Sequence, residues 1–195
     1  VAEIFNWQPS IGDPTIGGWI TVALYLLAGI SCWKTKGVVF RQDPNQQSDG
    51  SIWRAISVVF FLLGINKQLD LQSAMTELGR VVAHSGGWYE MRRTVQVYFI
   101  IGIVAACAAA VPALLFWARK SPRETWLALV GSTFVLGYVL IRAASFHHFD
   151  HFLSSRLFGF KWLWFFEMTG ITIVLLASEW RRASLVYRMA RPIAR

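Results

Sequence analysis

Apolar residues fill this chain in long runs rather than in alternation. The runs at about Ile16–Trp33, Val95–Trp117, Trp126–Ser145 and Phe160–Ser178 are long enough, or nearly so, to cross a bilayer as helix. A hydrocarbon core of about 30 Å takes roughly twenty helical residues. These runs are greasy on every side, whereas a soluble helix keeps a polar face. The period-two alternation that a membrane β-barrel requires is not seen. A fifth run, about Ile52–Asp70, has a different pattern. It is apolar only from Ala55 to Ile65, a rise of about 16 Å, and then meets Asn66-Lys67-Gln68-Leu69-Asp70. The pattern predicts an all-α integral membrane protein, a single domain over 1–195 built as a five-transmembrane-helix bundle with spans at about 16–33, 52–70, 95–117, 126–145 and 160–178. The second helix is expected either to stop short or to carry an amide, an amine and a carboxylate into the outer third of the membrane. Ionisable groups at that depth are costly and mark functional sites by default.

Tryptophan placement fits these boundaries. Of the ten, Trp19, Trp33, Trp53, Trp88, Trp117, Trp126, Trp162, Trp164 and Trp180 fall at or near the ends of the proposed spans, the headgroup level that amphipathic rings prefer. Composition agrees, with 55 % hydrophobic residues and 15 % charged, a membrane balance. Orientation follows from the cations. Lys34, Lys36, Arg41, Arg54, Arg119, Lys120, Arg123, Arg181, Arg182, Arg188, Arg191 and Arg195 lie in one set of segments, and only seven cations lie in the other. Positive-inside places the N-terminus on the exoplasmic side and the C-terminus in the cytoplasm, which in a bacterium makes this a multi-pass inner-membrane protein. The formal net charge of +8 then attracts anionic headgroups. It is not a nucleic-acid signal, because no soluble basic domain carries it. The chain starts at Val1 without Met, and an exoplasmic start would suit a cleaved signal peptide. Cys32 at the end of the first helix and Cys107 in the middle of the third are not expected to form a disulfide.

Along the chain, residues 1–15 read as a lead with the turn formers Pro9, Gly12 and Pro14, and 34–51 as a polar loop turning at Asp43-Pro44-Asn45. Gly17, Gly18 and Gly29 are expected to let a neighbouring helix approach the first. Pro112 should kink the third helix, and Lys120–Glu124 should form the hinge into the fourth. All four histidines (His84, His147, His148, His151) fall on the exoplasmic side. None lies mid-span, which argues against a haem held between helices.

His147 and His151 are spaced i, i+4 on a helix, so two imidazoles share one face as metal ligation requires. Asp70, Glu77 or Glu167 would complete a site for Zn²⁺ or another transition metal. Interfacial histidines that only hydrogen-bond to headgroups or water are the competing account. Asn66, Lys67, Asp70 and Arg142 form a candidate polar cluster. An i, i+3 pair of Lys67 with Asp70, the lysine snorkelling, explains only part of it. Glu167, flanked by Phe165, Phe166 and Met168, must be protonated or paired, and Arg142 is a partner on depth alone. Arg80, Arg92 and Arg93 match the phosphate of an anionic headgroup, ordinary headgroup contact being the plainer account. No nucleophile elbow, Walker loop, CxxC or dinucleotide-binding glycine pattern occurs.

The segments Leu63-Gly64-Ile65-Asn66-Lys67-Gln68-Leu69-Asp70-Leu71-Gln72 and Arg142-Ala143-Ala144-Ser145-Phe146-His147-His148-Phe149-Asp150, with Gly87-Trp88-Tyr89-Glu90 and Arg92-Arg93, resemble an uncharacterised family of small bacterial multi-pass inner-membrane proteins. The resemblance covers most of residues 52–178 and implies location rather than chemistry. A fainter likeness is to the alkaline ceramidase-like membrane hydrolases, whose serine, histidines and aspartate would correspond to Ser145, His147, His151 and Asp70. This chain departs from them in helix number, in having one histidine-bearing segment and in the side of the site.

Two readings result. In the favoured one the chain is a non-catalytic subunit of a larger membrane protein complex, packing laterally against other subunits through greasy, small-residue helix faces. Its polar cluster would then satisfy its own hydrogen bonds. The alternative is a metal-dependent hydrolase acting on a lipid or lipid-linked substrate at the exoplasmic face. There His147, His151 and Asp70 would be ligands and Glu77 or Glu167 the base that activates bound water. A transporter is disfavoured, because no inverted repeat is visible.

Overall fold

A computed structural model describes residues 13–42, 47–69, 112–114, 116–144, 156–157 and 160–190, with scattered positions between 77 and 109. The first helix, α1 (Ile16–Gln42), begins where polar punctuation ends. Thr15 is its N-cap. The Thr15 hydroxyl accepts from the Gly18 N–H at 3.1 Å and donates to Asp13 Oδ1 at 2.6 Å, satisfying one of the donors a helix start leaves open. Gly18 is therefore spent on the cap, since a Cβ there would lie 2.5 Å from the Asp13 carboxyl carbon. Of the three glycines expected to admit a neighbouring helix, Gly29 alone does so, with the Phe61 ring 3.1 Å from its Cβ direction.

α2 (Gln47–Leu69), α3 (Arg123–Ala144) and α4 (Trp162–Ala190) complete the main helices. A two-residue antiparallel pairing of β1 (Arg156–Leu157) with β2 (Phe160–Lys161) immediately precedes α4. Among the described residues the fold is otherwise helical. α1 and α2 are long and apolar enough to cross a membrane, with mean hydropathy of 1.6 and 1.4 over their best 18 residues.

The second helix does not stop short. It is 23 residues long, about 34 Å at helical rise, because Gln47-Ser48-Asp49-Gly50 belong to it rather than to the preceding loop. The other helices are extended in the same way, since the α1 helix continues nine residues past Trp33 and α4 twelve past Ser178. The hinge before α3 is shorter than expected. Ser121 N–H closes the turn on the Ala118 carbonyl at 2.8 Å, and Arg123 and Glu124 are already helical. The expected third span, 95–117, falls mostly outside the described residues, as does Cys107. Cys32 is buried and free.

α1 packs along both α2 and α4, α3 packs along α4, and α2 touches α3 only lightly. Their directions follow from which residues meet. Phe40 lies against Gly50 and Tyr25 against Gly64, so α1 and α2 are antiparallel. Tyr25 meets Glu167 and Ser31 meets Ser178, so α1 and α4 run the same way. Thr125 meets Asp49 and Tyr138 meets Lys67, so α2 and α3 run together in the opposite sense. Below, the near end is where α1 begins and the far end is where it stops. The tightest crossing joins α3 to α4 through two glycines. A Cβ on Gly131 would come within 2.9 Å of the Gly170 carbonyl oxygen, and one on Gly170 within 2.8 Å of that of Gly131. Backbones meet there as small residues allow in membrane helices.

The core follows a spacing of three and four residues on each helix. On α2 the buried positions include Asp49, Trp53, Ile56, Phe60 and Gly64; on α4 they include Glu167, Ile171, Val174, Ser178, Arg181 and Leu185. Both inward stripes carry charge towards their ends, and those charges build the site.

A candidate functional site of two buried charge clusters

At the near end one residue from each helix converges. Lys67 of α2 sets its Nζ 2.9 Å from Oε2 and 3.1 Å from Oε1 of Glu167 on α4. It also donates to the Tyr138 hydroxyl of α3 at 3.3 Å. Tyr25 of α1 donates to Glu167 Oε1 at 3.1 Å. The Lys67 and Glu167 side chains are only 8 % and 1 % exposed. All three ammonium protons have acceptors and both carboxylate oxygens have donors, which a buried pair needs in order to offset desolvation. The Tyr25 ring is fixed edge-on against Phe60, with centroids 5.7 Å apart.

At the far end Asp49 of α2 receives Arg181 of α4 through Nε at 3.1 Å and Nη2 at 2.9 Å, both on Oδ2. Its other oxygen accepts from the Thr125 hydroxyl of α3 at 2.6 Å. Asp49 and Arg181 are 2 % and 0 % exposed. The two clusters are separated by about 27 Å along α2 and about 21 Å along α4 at helical rise.

Between the clusters the α1–α4 seam is laced with hydroxyls. Ser31 Oγ lies 2.7 Å from Ser178 Oγ and donates to Glu179 Oε1 at 2.6 Å. The Thr35 hydroxyl is shared between the Ser31 and Ser178 carbonyls, each at 3.0 Å. Ser57 of α2 donates to the Gly29 carbonyl at 2.7 Å. The hydrogen bond from Ser31 holds the Glu179 carboxyl below its ordinary value, with Arg182 adding to the effect against partial burial. Among the described residues, the buried polar groups without a hydrogen-bond partner include the Trp53 indole N–H, one turn from Asp49, the Gln68 amide beside Lys67 and the Ser121 hydroxyl.

The structure brings some of the expected site residues together and not others. Lys67 and Glu167 meet, although depth pointed to Arg142 as the partner of Glu167. Arg142 is in the last turns of α3, and its side chain lies outside the described residues. Asn66 is half-buried in the last turn of α2. Asp70, Arg80, Arg92, Arg93, His147 and His151 lie outside the described residues. Glu77 is helical and half-buried. Among the described residues no group of three or more His, Cys, Asp or Glu side chains is placed to hold a metal ion.

Sequence reasoning missed Tyr25, Tyr138 and the whole Asp49–Thr125–Arg181 cluster. The signal was present in the helical register. Continuing the α4 stripe past the apolar run, from Ile171 through Val174 and Ser178, places Arg181 inward and turns Arg182 outward. No family model matches this chain, and no curated protein or solved structure does.

Proposed function

We propose that this chain is a multi-pass inner-membrane protein that serves as a non-catalytic subunit of a larger membrane protein complex. The observation that carries the reading is closure. Every proton of the Lys67 ammonium and both oxygens of Glu167 are used within the bundle, and Asp49 is held likewise by Arg181 and Thr125. A buried charge pair whose oxygens all accept hydrogen bonds from within the bundle ties helices together and is poorly placed to act as a base on water.

The outward surface supports the same reading. Only 39 % and 44 % of the apolar windows of α1 and α2 are buried, whereas core helices of a soluble domain would be mostly covered. Leu27, Leu62, Phe134 and Leu176 are among the exposed large apolar residues, fit to face acyl chains or the helices of another subunit. α2 and α3 run in the same direction, so the chain must return from the near end to the far end between Leu69 and Arg123. A span at 95–117 supplies that return. With the cation bias this favours five spans and an exoplasmic N-terminus.

The test is purification of the tagged full chain from native membranes in mild detergent, read by native electrophoresis and metal analysis together. The expected result is an assembly with other membrane proteins at fixed stoichiometry that survives a second purification through a different tag. A chain that migrates alone, carries near-stoichiometric zinc and loses it in a His147→Ala/His151→Ala variant would replace this reading with the metal-dependent hydrolase.

A further inference from the structure

At the far end of the bundle the described carboxylates are buried or paired, while cations stand outside. Asp49 is closed against Arg181, Glu124 is buried, and Glu179 is engaged by Ser31 and Arg182. By contrast Lys34 and Arg41 on α1, Arg54 on α2, Arg119 and Arg123 at the entry to α3, and Arg188 on α4 are all exposed. Helical contacts place these elements at one end, since Phe40 meets Gly50 and Asp49 meets both Thr125 and Arg181. Aromatic rings mark the same level. Lys36 Nζ stands 3.5 Å over the Trp33 ring and the Arg119 guanidinium 3.9 Å over the Phe116 ring, and Trp33, Phe116 and Trp180 are exposed.

We propose that this basic, aromatic-edged collar binds anionic phospholipid headgroups. The inference rests on the membrane reading above and adds the ligand class and the residues that hold it. Guanidinium groups match phosphate geometry in a two-pronged way, and cations near a leaflet surface attract anionic lipid. The arrangement favours a lipid over an acidic protein. Its cations come from all four helices rather than from one face. They also adjoin exposed apolar side chains on the same helices, such as Ile30 and Trp33 beside Lys34 and Phe116 beside Arg119. A lipid has a charged head next to an apolar tail, whereas an acidic soluble partner would meet only the charge.

The experiment reconstitutes the full chain in phosphatidylcholine vesicles carrying traces of spin-labelled phosphatidylglycerol or spin-labelled phosphatidylcholine. It measures the fraction of each label immobilised at the protein surface. Phosphatidylglycerol should be favoured several-fold over phosphatidylcholine. The preference should fall at high salt and in an Arg41→Gln/Arg119→Gln/Arg123→Gln/Arg188→Gln variant, none of whose changes touches the buried clusters. The salt titration on the unaltered chain decides the matter if the variant does not reconstitute. Equal immobilisation of the two lipids around a chain that resists alkaline extraction overturns the proposal and leaves the membrane reading standing. A preference unchanged by both salt and the variant overturns the assignment to the collar. A chain stripped from the vesicles by alkaline extraction overturns the membrane reading, and the proposal with it.

Discussion

Lys67 and Glu167 show how differently buried polar groups weigh in one bundle. Ser57 donates a single neutral hydrogen bond to the Gly29 carbonyl, and such bonds between membrane helices average about 0.6 kcal/mol. Ser57→Ala should therefore lower the unfolding temperature in detergent only slightly. Glu167→Gln leaves the Lys67 ammonium buried against a neutral amide, and breaking a buried pair by removing one charge costs about 3–5 kcal/mol. That single change should destabilise strongly. Lys67→Met/Glu167→Met, which removes both charges, should recover much of the loss, because no unpaired charge remains. A double variant as unstable as the worse single one would show that the pair's geometry, rather than charge neutralisation, is what the bundle needs. Glu179 titrates under a weaker constraint. Its carboxyl is held low by the Ser31 hydrogen bond and by Arg182, so the unfolded chain binds a proton there at a higher pH than the folded one. The stabilisation is full above the ordinary carboxylate range and is lost as pH falls through the lowered value. At 48 % exposure the effect is small. Glu179→Gln should flatten the acid side of a melting-temperature against pH curve, and an unchanged acid limb would show that Ser31 does not favour the charged form.

The helices take their length from side chains that hydropathy discounts. Asp49 and Arg181 read as loop or headgroup residues by polarity, yet each continues an inward stripe set by its apolar neighbours. The apolar centres of α1 to α4 were therefore legible in the sequence, and so was the oddity of Asn66–Asp70. The ends were not, because a helix that leaves the apolar layer while its inner face stays covered loses its greasy signature before its hydrogen bonds. Partner choice was hidden for a related reason. Glu167 and Lys67 are 100 residues apart, and depth alone could not separate Lys67 from Arg142. What registers α3 on α4 is the mutual approach of Gly131 and Gly170, each facing the other's carbonyl oxygen at under 3 Å from a Cβ position. Both contacts are with backbone, which cannot move aside as a side-chain tip can. Gly131→Ala or Gly170→Ala should separate the helices and cost about 1–3 kcal/mol, the usual range for overpacking, whereas Gly137→Ala, which meets nothing within 4 Å, should be neutral or slightly stabilising. Thermal unfolding of the three variants in one detergent checks the contrast, and equal effects would refute the crossing.

At the scale of the whole molecule the two charge clusters specify direction. Along α2 the order is acid then base, Asp49 to Lys67, and along α4 it is also acid then base, Glu167 to Arg181. Antiparallel helices therefore bring Asp49 to Arg181 and Lys67 to Glu167. Parallel ones would set acid against acid and base against base, at a distance where like charges repel strongly in a medium of low dielectric. The arrangement excludes that alternative as well as favouring the one observed. With α1 parallel to α4, the chain enters at the near end and leaves at the far end. A bundle so threaded through a bilayer has its two ends on opposite sides, which needs an odd number of crossings. On the proposed threading the four described helices need one further crossing between Leu69 and Arg123, for which the 95–117 run is the candidate. Reporters that are active on only one side of the membrane, fused in turn before residue 1 and after residue 195, should report opposite sides, the first exoplasmic and the second cytoplasmic. A charge exchange, Lys67→Glu/Glu167→Lys, should preserve that result, while Lys67→Glu alone should yield poorly inserted or rapidly degraded chain. If both fusions reported the same side, α2 and α3 could not run in parallel through the bilayer, and the charge-directed threading would be wrong.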